Sequence, residues 1–232
     1  MQLHVLSGGA AQGLVQAVAT EFQAATGLRI DGTFGAVGAM REKLTGGAPA
    51  DLLLLTDAMI ADLERTGHVV PGSAVPIGVV RTGVAVRTGT ARPAIADPDA
   101  LRAALAGADG IYFPDPKLAT AGIHFAKVLA SLGIKADANP RLLTFPNGAT
   151  AMKALAASPL DHPIGCTQVT EILNTPKVRL VGLLPKEFEL ATVYTAGVTT
   201  SAKYPREAAR LAQMLIAPEA KVHRDRLGFE AQ

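Results

Sequence analysis

Strand-like and helix-like segments alternate along almost the whole chain, and this alternation constrains the fold more than any other feature. The first three strands are predicted at residues 3–6, 28–34 and 51–56. The run DLLLLT (51–56) is apolar on both faces, as is typical of a strand buried in a parallel sheet. Because a helical pattern separates each strand from the next, the sequence predicts an α/β fold with mostly parallel sheets and helices on both faces.

Two long β-rich segments, residues 75–89 and 189–200, interrupt this alternation. We interpret them as crossing strands that carry the chain into a second lobe and back, and that form a hinge. The predicted organisation is a discontinuous first lobe (residues 1–80 and 195–232), an inserted second lobe (residues 81–194), and a ligand cleft between the two.

Composition excludes several classes of function. The net charge is only +2 and aromatic residues make up 4% of the chain, so no nucleic-acid partner is expected. The single cysteine and the scattered histidines predict no disulfide and no metal site. The chain has neither a phosphate-binding P-loop nor a dinucleotide fingerprint, so no cofactor is expected.

The start of the chain and its hydropathy bear on location. No run of about 18 apolar residues occurs, so no membrane insertion is predicted. Met1 leads directly into a predicted strand, without the basic and apolar regions of a signal peptide. The sequence as it stands therefore predicts a cytoplasmic protein, or a periplasmic one where a native signal has been removed.

Small and polar residues follow the predicted strands at the points where helices begin. Helix N-termini offer unpaired backbone N–H groups and a partial positive charge, and small residues let a ligand approach them. These junctions favour a small anionic ligand, although Ser, Thr and Asn at such places can also be simple helix caps. The candidate ligand-binding residues are Ser7, Gly8, Gly9, Ala36, Val37, Gly38, Thr56, Thr120, Ala121, Asn147, Gly148, Thr150 and Gln168.

The motifs at these junctions resemble those of the substrate-binding proteins of molybdate-type ABC transporters, which have the type II periplasmic binding fold. The resemblance covers nearly the whole chain and is most specific at GGAPADL (46–52) and TAGIHFA (120–126). It implies that hydroxyls and backbone N–H groups at the junctions listed above hold an oxyanion.

The chain also departs from that family. Ala36, Val37 and Gly38 stand where molybdate binders typically have a run of serines, and Gln168 stands where many have a tyrosine. The chain is thus an atypical member that lacks the usual hydroxyl donors. Because a lost donor leaves an oxyanion oxygen unpaired, we expect a small organic acid rather than molybdate, with its carbon skeleton against Val37.

Two functions remain open from the sequence. The first is a solute-binding protein for a carboxylate or oxyanion, with a transporter permease as partner if the protein is exported. The alternative is a cytoplasmic isomerase of small unsaturated carboxylic acids, as the resemblance to isomerases of acids such as aconitate implies. His124 and Cys166 are its weak catalytic candidates, and both also fit purely structural roles.

Overall fold

The computed structural model describes residues 1–134 and 139–231. The chain divides into two compact units, which we call unit 1 (Met1–Val80 and Thr192–Gln232) and unit 2 (Arg81–Ala191). The sequence places the return to the first lobe at residue 195, whereas Thr192 already belongs to unit 1. Residues 135–138 and 232, which the expected lobes include, lie outside the described part of the chain.

Unit 1 contains a sheet in which the strands β1 (Gln2–Gly8), β2 (Arg29–Gly35), β3 (Leu52–Thr56) and β9 (Ala191–Val198) are neighbours, together with helices. The strands lie in the order β2-β1-β3-β9. Its helices are α1 (Gln12–Thr26), α2 (Val37–Thr45), α3 (Asp57–Arg65), α8 (Pro205–Ile216) and α9 (Lys221–Leu227). β2 and β3 each pair with β1 in parallel, whereas β9 is antiparallel to β3.

The core of unit 1 explains why residues 51–56 are apolar. Leu52, Leu53, Leu54 and Leu55 are each 0% exposed, so β3 buries side chains on both faces. Each such leucine contributes about 1.5–3 kcal/mol through the apolar surface that it removes from water. The helices α1 and α8 complete this core with Leu14, Phe22 and Leu211, among others.

Unit 2 contains its own sheet and cores. Its strands are β4 (Val75–Arg87, which begins in unit 1), β5 (Gly110–Pro114), β6 (Leu142–Phe145), β7 (Pro163–Gln168) and β8 (Val178–Leu183). Its helices are α4 (Pro98–Ala106), α5 (Thr120–Ser131), α6 (Gly148–Ala156) and α7 (Val169–Leu173). The order is β4-β7-β5-β6, with β8 also on β4.

The predicted α/β fold class is confirmed, with one refinement of strand direction. β5 pairs in parallel with β6 and β7, as expected, but β4 is antiparallel to both β7 and β8. The antiparallel strands β4 and β9 are the two segments in which the chain passes between the units. β8, a half-exposed strand that follows Pro176 and Lys177, was not predicted from the sequence.

Within residues 1–134 and 139–231, no helix combines the length and the apolar character needed to cross a membrane.

Candidate anion-binding site

The carboxyl ends of three strands meet at one edge of the unit 1 sheet. The parallel registers pair Gly8 with Gly35 and Ser7 with Leu54, so β1, β2 and β3 end side by side. The candidate residues Ser7, Gly8, Gly9, Ala36, Val37, Gly38 and Thr56 all lie at this edge, where ligands bind in open α/β sheets.

Helix α2 begins at this edge without a cap of its own. Its N-cap residue is Ala36, which has no side-chain hydrogen-bonding group, and its first turn contains no acidic residue. Thr56 at the N-cap of α3 likewise makes no capping hydrogen bond, but Asp57 places a carboxylate in that first turn. The partial positive charge of α2 is therefore the less neutralised of the two.

Ser7, Gly8 and Val37 form a tightly packed corner at the same edge. The Ser7 hydroxyl is buried and donates to the Gly8 carbonyl oxygen at 2.8 Å. A Cβ atom on Gly8 would lie 2.8 Å from Val37 Cγ1 and 2.9 Å from a ring carbon of Tyr194. Val37 is only 3% exposed, so its burial does not favour the predicted contact between Val37 and a ligand's carbon skeleton, which stays a prediction.

The strand β9 brings two residues to this edge that were not predicted from the sequence, Tyr194 and Thr195. Its antiparallel register pairs Tyr194 with Thr56 and Thr195 with Leu55. The buried Thr195 hydroxyl donates to Asp57 Oδ1 at 2.9 Å and so orients that carboxylate. No local motif marks these residues, because they reach the edge only through the return of the chain from unit 2.

In unit 2, helix α5 begins after the carboxyl end of β5 and, like α2, has no side-chain cap. Its N-cap is Ala119, it has no capping side chain, and its first turn contains no acidic residue. The predicted residues Thr120 and Ala121 are the first two residues of the helix. Gly122 allows the helix to approach the end of β5, because a Cβ atom there would lie 2.2 Å from the Asp115 carbonyl oxygen.

Helix α6 differs, because residues of the protein itself already accept hydrogen bonds from the backbone N–H groups at its N-terminus. Asn147 and Thr150 form a capping box in which Asn147 Oδ1 accepts from the Thr150 N–H at 2.9 Å. This is the structural alternative that the sequence left open for these two residues. That Asn147, Gly148 and Thr150 contact a ligand stays a prediction, which this hydrogen bonding does not favour.

Glu171 supplies a carboxylate to the same helix. It accepts hydrogen bonds from the backbone N–H groups of Gly148, Ala149 and Gln168, and from the Thr167 hydroxyl at 2.5 Å. Burial raises the pKa of Glu171 to about 7, and these hydrogen bonds only partly oppose the rise. Glu171 was not predicted from the sequence, although a Glu four residues after a Thr near a strand end is a signal for such a contact.

The predicted ligand residue Gln168 ends β7 and is the N-cap residue of α7. Its side chain is 3% exposed, and neither its amide nitrogen nor its amide oxygen has a hydrogen-bond partner among the described residues. Its neighbour on β4 is Thr82, which is its register partner and is 1% exposed.

The two catalytic candidates occupy structural positions. The half-buried His124 places Nε2 2.7 Å from the Phe188 carbonyl oxygen, so this nitrogen donates a hydrogen bond. Cys166 is fully buried in an apolar cluster, and burial raises the pKa of its thiol well above the usual value. A thiol in that environment is not ionised at neutral pH and is a poor nucleophile.

The described residues contain no group of three or more His, Cys, Asp or Glu side chains that could hold a metal ion. The described hydrogen-bond donors at the two edges are backbone N–H groups, hydroxyls and the Gln168 amide, and the edges also carry the carboxylates of Asp57 and Glu171.

Solved structures of low sequence identity share this fold. The periplasmic molybdate-binding protein of Azotobacter vinelandii is 21% identical, with a TM-score of 0.81 and 100% of both chains covered. The sulfate-binding protein SubI of Mycobacterium tuberculosis is 18% identical, with a TM-score of 0.75, and the match covers 100% of this chain and 87% of that one. The fold is thus that of the periplasmic binding proteins.

The family follows from the sequence match. The pattern of the bacterial extracellular solute-binding proteins matches residues 3–230, and the chain belongs to that family. Among curated relatives, an aconitate isomerase from a Pseudomonas species is 27% identical over 230 residues, which is 94% of this chain and 83% of that protein.

Proposed function

We propose that the protein is a solute-binding protein for a small anion, which it binds through the N-termini of α2 and α5. The observation that carries this proposal is the open N-terminus of two helices that follow parallel strands. α2 and α5 begin at strand ends with neither a capping side chain nor an acidic residue in the first turn. α4 is capped by Asp97 and α6 by Asn147. Helix N-termini left open in this way favour an anion.

The family of the chain and its structural neighbours support the same function. Its structural neighbours include a molybdate-binding and a sulfate-binding protein, both of which are named for anions. We propose a carboxylate or oxyanion as the ligand. A permease of an ABC transporter is the partner that we propose for an exported form of the protein.

Binding can be tested by calorimetry against molybdate, sulfate, phosphate and a set of di- and tricarboxylates. Ala36→Asp and Ala119→Asp each place a carboxylate at an N-cap, whereas Ala36→Asn and Ala119→Asn are matched neutral variants of the same shape. Because Asp and Asn cap equally well, only the added charge separates each pair. A charge at a helix terminus contributes up to about 2 kcal/mol, so each Asp variant should bind more weakly than its Asn partner, by up to about thirtyfold.

A control variant changes a helix that we exclude from the site. Asp97→Asn alters the capped N-terminus of α4 and should leave affinity unchanged. Equal affinities within both Asp and Asn pairs would show that neither helix holds the anion, and the absence of binding to the whole panel would reject the function itself.

A second candidate function is an isomerase of small unsaturated carboxylic acids. The aconitate isomerase relative favours it, and so does Glu171, because a carboxyl with a pKa of about 7 suits proton transfer at neutral pH. Incubation with cis- and trans-aconitate, followed by NMR, tests this candidate directly. Turnover that is lost in Glu171→Gln supports it, and binding without turnover rejects it.

A further inference from the structure

The amide of Gln168 has hydrogen-bonding capacity that the protein does not use. The side chain is 97% buried, and within residues 1–134 and 139–231 neither Nε2 nor Oε1 has a partner. An amide has two N–H donors and one acceptor oxygen, whichever way its two ends are assigned. A ligand that satisfies Gln168 therefore has to offer both an acceptor and a donor.

A second buried group with the same property lies beside Gln168. Thr82 is its register partner on the neighbouring antiparallel strand, so both side chains project from the same face of the sheet. Thr82 is 1% exposed, and its hydroxyl oxygen also lacks a partner in the described chain. Buried polar groups in native proteins are nearly always paired, so two adjacent exceptions indicate a polar ligand group.

We propose that the ligand bound at Gln168 carries its own hydrogen-bond donor, and that its class is the small hydroxycarboxylates. This inference rests on the proposed function and specifies its ligand. A 2-hydroxycarboxylate presents an O–H donor next to a carboxylate oxygen, which matches the donor and acceptor of one amide. Fully ionised molybdate or sulfate offers acceptors alone and leaves the amide oxygen unpaired.

The tests compare acids that differ by one hydroxyl. Calorimetry at pH 8 measures malate against succinate and citrate against tricarballylate, because all the carboxyl groups are ionised there and only the hydroxyl supplies a donor. The hydroxylated acid of a pair should bind at least tenfold more tightly. Gln168→Met keeps the length of the side chain and should reduce that ratio to about one, while Thr82→Val should lower it.

A control variant and a check of folding accompany these tests. Gln213→Met changes an exposed glutamine on α8 and should keep the wild-type ratio. Far-ultraviolet circular dichroism and the melting temperature establish that each variant is folded, and Thr82→Val provides the second variant if Gln168→Met is not.

The failures of the two proposals are distinguishable. If no anion of the panel binds to the wild type, the proposed function fails. If succinate, tricarballylate or molybdate binds as tightly as the hydroxylated acids, the function stands and the hydroxycarboxylate class is rejected. If Gln168→Met retains the wild-type ratio, the assignment of the donor preference to Gln168 is overturned.

Discussion

The stability of the protein depends on pH through Glu171, and the direction of this dependence is defined. Its pKa rises from the ordinary value of 4.5 to about 7 in the folded state, chiefly because the carboxyl is buried. Between these two values the folded chain binds more protons than the unfolded chain, so stability falls as the pH rises. The contribution is constant below pH 4.5 and above about pH 7, and the loss occurs between them.

The size of the effect follows from the shift. A rise of about 2.5 units corresponds to about 3 kcal/mol at 1.36 kcal/mol per unit. Glu171→Gln mimics the protonated carboxyl, because its oxygen accepts from the backbone N–H groups of α6 while its amide nitrogen donates to the Thr167 hydroxyl. We therefore expect this variant to match the wild type near pH 4.5 and to exceed it by up to about 3 kcal/mol at pH 8.

Urea denaturation from pH 4.5 to pH 8 measures this difference. Subtracting the variant from the wild type removes the contributions of all the other ionisable groups, because the two proteins share them. Glu187→Gln, at an exposed carboxyl in unit 2, is the control and should follow the wild type throughout. A difference between wild type and Glu171→Gln that does not change with pH would refute the reasoning.

Three further predictions concern packing, reactivity and capping. Gly122→Ala should destabilise the protein by about 1–3 kcal/mol or more in urea denaturation, because the new Cβ would lie 2.2 Å from the Asp115 carbonyl oxygen; equal or greater stability would contradict this contact. Cys166 should resist alkylation by iodoacetamide at pH 8 until the chain unfolds, because its thiol is fully buried; rapid labelling of the native protein, measured by mass spectrometry, would count against that burial. Asn147→Ala should cost about 1 kcal/mol through loss of the capping box, and an unchanged midpoint of denaturation would show that the box contributes little.

The fold could be predicted from the sequence where local pattern and burial coincide. The run 51–56 is apolar because β3 is covered on both faces. The helix that follows can be predicted from the periodicity of its own apolar residues. The strand directions of β4 and β9 could not be predicted in the same way. Hydropathy indicates that a strand is buried, but its direction depends on which neighbour it reaches through the return of the chain.

The candidate site was predictable to a smaller extent. Strand ends and small residues locate Ala36 and Thr120, because a helix start is a local property of the sequence. The sequence does not reveal that Glu171 reaches the N-terminus of α6, or that the Thr195 hydroxyl orients Asp57. The Thr195–Asp57 contact joins segments 138 residues apart, and no short motif encodes it. The Thr167–Glu171 spacing is local, but it does not show that the carboxylate reaches the start of α6.

The path of the chain through β4 and β9 also sets an order of events during protein synthesis. Unit 2 is one continuous stretch, Arg81–Ala191, and it is fully translated before β9 emerges from the ribosome. Unit 1 cannot complete its sheet until β9 pairs with β3, nor its core until Leu211 of α8 is available. The part of the protein that is translated first is therefore completed last, and until then its leucine-rich strand β3 lacks the neighbour that protects it from association with other chains.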